Sequence, residues 1–98
     1  MDLARVEGTI VSTAKNERLK SRKLLLVNLI EPDLKPSKNY LVAVDSVGAG
    51  TGEIVLVVKG SSARQSADLA NVPTDASIVG IVDSIEHLGI VKFRKSDK

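Results

Sequence analysis

The chain has no cysteine and no tryptophan, and its 98 residues include one tyrosine, Tyr40, one phenylalanine, Phe93, and one histidine, His87. Each absence removes a class of function. Without thiols there is neither a disulfide framework nor a thiolate metal site, and the redox compartment leaves no mark on the sequence. His87 has no second histidine to complete a metal site and no designated nucleophile to serve, so it reads as a solvent-exposed residue at a strand end. Two aromatics are too few for the platforms on which unpaired bases stack. No apolar run nears the roughly 18 residues that cross a bilayer. The opening MDLARVEG also lacks the basic-then-apolar pattern of a signal peptide. A cytoplasmic protein with no membrane contact and no cofactor is therefore expected.

Charge of one sign is also scarce. Fourteen Lys and Arg stand against twelve Asp and Glu, a formal net charge of +2 that attracts anionic partners only weakly. What is present is aliphatic: 43% of residues are hydrophobic while 2% are aromatic. Valine, leucine, isoleucine and alanine in that proportion suit the pleated surface of a sheet in one small globular domain.

Residues 3–13 alternate, with Ala4, Val6, Gly8 and Ile10 on one face and Arg5, Glu7 and Thr9 on the other, the pattern of a half-buried strand. Further strands are expected at LLLVNLI (24–30), NYLVAV (39–44), IVLVVK (54–59), ASIVGIVDSI (76–85) and GIVKFRK (89–95). EPDLKPSK (31–38) reads as a turn, and SSARQSADLA (61–70) as a short helix capped by Ser61 or Ser62. The fold class is thus mainly all-β, a small and mostly antiparallel barrel with one short helix. Residues 24–30, 54–58 and 78–82 are aliphatic on both faces, broken in the first case only by Asn28. A small barrel needs only its inward face apolar. Outer faces of this kind imply neighbouring subunits that cover them.

The segment VGAGTGE, Val47 to Glu53, has three glycines in five residues, the density of a phosphate-binding loop. Such loops place backbone N–H groups at a helix N-terminus, and the P-loop adds Lys and Ser or Thr after its last glycine. Here Gly52 is followed by Glu53, whose charge repels phosphate, and then by a strand. The glycines, at alternate positions, also miss the G-x-G-x-x-G spacing. They are better explained by positive φ or by close backbone approach. Asp45 and Asp83, each followed by serine, could form a carboxylate dyad, but Val47 and Ile85 stand where the flexible turn of such a site needs glycine. Local backbone hydrogen bonding explains them instead. Lys15, Arg18, Lys20, Arg22 and Lys23, with Lys92, Arg94, Lys95 and Lys98, could contact phosphates. That leaves a free OB-like nucleic-acid or ligand-binding module as the alternative. No catalytic or metal-ligating constellation emerges.

The order of segments carries one further signal. LARVEGTIVST, KLLLV, VAVDSVGAGTGEIVLVVKGSSAR (42–64) and DASIVGIVDSI (75–85) together closely resemble the EutN/CcmL family of bacterial microcompartment vertex proteins, over residues 1–87. The pairing of D-x-V-G-A-G-x-G-E with G-S-S-A-R is the specific element. The resemblance implies a five-stranded OB-like barrel that assembles into a homopentamer. It further implies a structural role, capping the vertices of a shell otherwise tiled by hexameric shell proteins, with no nucleic acid involved. The spelling leans towards shells that house catabolic enzymes rather than carboxysomes. On this reading residues 1–87 form the vertex domain and residues 88–98 an edge strand or tail, free to reach a neighbouring subunit or stay mobile. Val47, Gly48, Ala49, Gly50, Thr51, Gly52 and Glu53 are then expected near a subunit interface or the central axis. Asp45, Ser61, Ser62 and Arg64 are the candidates for anchoring that loop or the interface.

Overall fold

Seven strands account for the regular structure of the computed structural model, which describes residues 1–11, 23–60 and 76–96. They are β1 (Asp2–Ile10), β2 (Lys23–Ile30), β3 (Pro36–Asp45), β4 (Ile54–Lys59), β5 (Ala76–Ile81), β6 (Ser84–His87) and β7 (Ile90–Arg94). The first five close into a barrel in the order β1-β2-β3-β5-β4, with β4 returning to β1. All its pairings are antiparallel except β3 with β5, where Val44 lies beside Ser77 and Asp45 beside Ile78. The expected all-β, five-stranded barrel is the observed one. The helix expected at 61–70 falls outside the described residues, as do Ser61, Ser62 and Arg64.

Alternate residues of each strand fill the barrel. Ala4, Val6, Leu25, Val27, Ala43, Val55, Val57, Ala76 and Ile78 are all buried in one cluster, with Leu29, Leu41 and Ile81 packed against it. Fully burying an aliphatic side chain of this size contributes about 1.5–3 kcal/mol, so this interior is the main source of stability. The face read from the alternation of β1 holds only for its first half. Val6 lies opposite Val27, but Gly8 lies opposite Leu26, so Glu7 is an extra residue in a bulge. One inserted residue reverses the alternation. Ala4 and Val6 therefore face the core, whereas Gly8 and Ile10 share the outer face with Leu26 and Leu24. Asn28, the polar break in β2, is buried on that outer face. Its Nδ2 donates to the carbonyls of Ser37 and Asn39 at 2.9 and 3.1 Å, where β3 departs from regular pairing. A buried amide is stabilised by such partners.

One expectation for the C-terminal third is corrected. The continuous strand over 76–85 is broken, because Val82 and Asp83 separate β5 from β6. The Val82 N–H donates to the Ile54 carbonyl at 2.8 Å, and the Lys95 N–H to the Asp83 carbonyl at 2.7 Å. The strand expected at 89–95 is observed as β7, Ile90–Arg94, which pairs with β6 in a separate hairpin. A closed barrel has no free edge to receive another strand.

Candidate assembly loop

The glycine-rich segment links β3 to β4. Asp45, the last residue of β3, turns its carboxylate into the loop, and its side chain is only 1% exposed. Oδ1 accepts the Val47 and Gly48 N–H groups at 3.0 and 3.1 Å, and Oδ2 accepts the Ala49 N–H at 2.9 Å. Aspartate suits this role because its short side chain reaches backbone amides two to four residues on. Lys23 lies directly opposite Asp45 in the β2–β3 ladder. Its Nζ stands 3.7 Å from Oδ2 and donates to the Ala49 carbonyl at 3.0 Å. Ala49 is thereby drawn into the core, where it is 0% exposed.

Glu53 organises the second half. Its Oε1 accepts the Gly50 N–H at 2.7 Å, and its own N–H donates to the Gly50 carbonyl at 3.1 Å. The Gly52 N–H donates to the Val6 carbonyl at 2.8 Å, and the Val6 N–H to the Glu53 carbonyl at 2.9 Å, which fastens the loop to β1. Glu53 Oε2 pairs with Lys95 Nζ at 2.9 Å, just past the end of β7. The Lys95 hydrogen bond, and then the Gly50 amide, hold the Glu53 carboxyl below its ordinary range, and the same pair raises the Lys95 ammonium above its own. Both favour the charged form.

This geometry explains why the loop is no phosphate cradle. The Val47, Gly48, Ala49 and Gly50 amides already donate to the carboxylates of Asp45 and Glu53. The loop is closed around anions of its own chain. Gly48 and Gly52 adopt φ of +78° and +92°, a conformation that side chains disfavour. Gly50 does not, and a Cβ there would meet only Glu53 Oε1, at an ordinary 3.5 Å. Val47 and Thr51 remain on the surface.

Elsewhere the candidates do not converge. Asp83 is exposed, and His87 is exposed at the end of β6. Among the described residues no cluster of His, Asp or Glu is placed to hold a metal, and no helix is long and apolar enough to cross a membrane. Lys23 and Lys95 were missed as loop anchors. Nothing in the local sequence separates them from the basic loop and the basic tail in which they sit, because their partners are set by strand pairing and by the path of the hairpin.

With this geometry in view, comparisons with known proteins place the chain. Residues 1–83 match the family described as ethanolamine utilisation protein EutN/carboxysome. The shell vertex protein GrpN of Rhodospirillum rubrum is 52% identical over 86 residues, covering 88% of this chain and 97% of that protein. The shell vertex protein EutN of Escherichia coli is 46% identical over 95 residues, covering 97% and 100%. The solved structure of CcmL from Gloeobacter violaceus superposes with a TM-score of 0.93 at 40% identity, over 99% of this chain and 100% of that one. That of GrpN, described as a pentameric microcompartment shell protein, gives 0.82 at 50% identity, over 90% and 100%. The chain belongs to the EutN/CcmL family, whose members are vertex proteins of bacterial microcompartment and carboxysome shells.

Proposed function

We propose that the chain is a structural protein and not an enzyme. Five copies close into a ring that caps the vertices of a microcompartment shell in the bacterial cytoplasm, among hexameric shell proteins. The observation that carries this reading is the near full-length match to shell vertex proteins, one of them described as pentameric. The mechanism is geometric. A five-fold unit in a hexagonal lattice introduces the curvature that lets a flat sheet close, and without it the lattice extends as sheets or tubes. The shell is proposed to house catabolic enzymes; the 46% identity to EutN, described as an ethanolamine utilization protein, supports this.

Residues 47–53 serve in this reading as a rigid, low-bulk rim where neighbouring chains meet. Gly50 gives the discriminating substitution, because its own chain has room for a side chain. Native mass spectrometry of the wild type is expected to give five copies. Gly50→Val is expected to weaken the ring while leaving the barrel folded by circular dichroism; an unchanged ring would refute the rim. A monomer that binds oligonucleotides with steep salt dependence would overturn the vertex reading as a whole.

A further inference from the structure

The β6–β7 hairpin stands apart from the barrel, and an isolated two-stranded hairpin is marginal in water. It needs a surface to lie on, and among the described residues its large hydrophobic side chains are half-buried only at the base. Ile85 and Phe93, directly opposite each other, are half-buried, whereas further out Ile90 is 58% exposed and Leu88, at the tip, 88%. Beyond the base, an open groove separates the hairpin from the turn that carries Pro32.

The tip itself is unusual. Leu88 and Gly89 connect the strands with φ of +55° and +79°. Two-residue turns with both φ positive favour asparagine, aspartate or glycine at the first position, so leucine there is strained. The strain holds an apolar side chain at the tip of the hairpin, where it is 88% exposed on the open groove that faces the Pro32 turn. Strain retained at such a point is a pointer to function.

A cyclic ring is heterologous: each copy presents two different surfaces, one to each neighbour. Among the described residues the exposed large hydrophobics fall into two groups, once Met1 and Val11 beyond the ends of β1 and Val47 of the loop are set aside. One is Leu88, Ile90 and Val91 on the hairpin. The other is Tyr40 and Val42 on the outer face of β3, 53% and 46% exposed. We infer that the hairpin is an arm that reaches the next copy of this chain, with Leu88 as a knob against Tyr40 and Val42 of that copy. The inference rests on the ring reading above. It adds which surfaces meet, and it accounts together for the unsupported hairpin, the strained leucine and the bare face of β3.

Leu88→Asn tests the arm without endangering the fold, because asparagine is the better residue for the turn and lacks the apolar knob. The variant is expected to stay folded by circular dichroism while its ring dissociates at a protein concentration at least tenfold higher, read by native mass spectrometry. A ring as tight as the wild type would overturn the arm and leave the vertex reading standing. A wild type that forms no ring would remove both. The absence of cysteine allows a second measurement. Leu88→Cys combined with Tyr40→Cys or with Val42→Cys, treated with a short bis-maleimide, is expected to give a ladder of linked species up to five. Leu88→Cys alone should stop at pairs. If both double variants also stop at pairs while their rings are intact, the arm does not dock on β3.

Discussion

Replacing Asp45 with alanine tests whether the loop is held from within its own chain. The substitution removes the acceptor of three backbone N–H groups and the partner of Lys23. A hydrogen bond to a charged group contributes about 1.5–3 kcal/mol, and a buried donor left without a partner costs about 1–3 kcal/mol. Val47 and Gly48 lie at the surface, so their amides recover water as a partner; Ala49 is 0% exposed, and its amide does not. The loss is therefore set chiefly by the Ala49 bond, with smaller shares from the other two, about 2–4 kcal/mol in all. With a urea slope of about 2 kcal/mol per molar, the unfolding midpoint should fall by about 1–2 M. Asp45→Asn keeps one oxygen for Val47 and Gly48 but turns its amide group towards the Ala49 N–H and Lys23, so most of that loss is expected to remain. Protein concentration must be held constant across the series, because assembly adds to apparent stability. A change below about 0.5 kcal/mol for Asp45→Ala would refute the view that this carboxylate holds the loop.

The Glu53–Lys95 pair gives a pH-dependent expectation. Glu53 titrates lower in the folded chain than in the unfolded one, so its contribution is complete above the ordinary carboxylate value of about 4.3 and is lost as pH falls through the lower folded value. Lys95 titrates higher when folded, so its contribution is complete below about 10.4 and is lost as pH rises through the higher folded value. The stability difference between wild type and Glu53→Gln should be small and flat from about pH 5 to 9, and should shrink in acid, as read from urea midpoints. The glycines separate in the same assay. Gly52→Ala places a side chain at φ +92° and should lose about 1–2 kcal/mol, whereas Gly50→Ala should stay within about 0.5 kcal/mol in the dissociated chain.

Much of this protein was legible before folding was considered. The aliphatic composition pointed to strands, and the segments at 24–30 and 54–59 became β2 and β4 because their side chains suit a pleated surface buried on at least one side. The rejection of a phosphate loop needed only Glu53 and the strand after it. The specific glycine motif was enough to point to the family. Local chemistry sufficed for these because each depends on residue type and near neighbours.

What required the tertiary structure is whatever depends on residues distant in the chain. The bulge at Glu7 appears only when β1 is laid against β2, and it sends Gly8 and Ile10 to the face opposite the one their spacing implied. Closure of β4 onto β1 left no edge for residues 89–95, so they turned back on β6 and carried Leu88 out to an exposed tip. Lys23 and Lys95 are two of several basic residues until strand pairing brings one to Asp45 and the hairpin brings the other to Glu53. The sequence by itself determined that the chain is built of strands and which loop is glycine-rich. Only the folded barrel decided which faces are inside and which charges meet, because side-chain direction in a sheet is set by register, and register by the closing of the whole ring of strands.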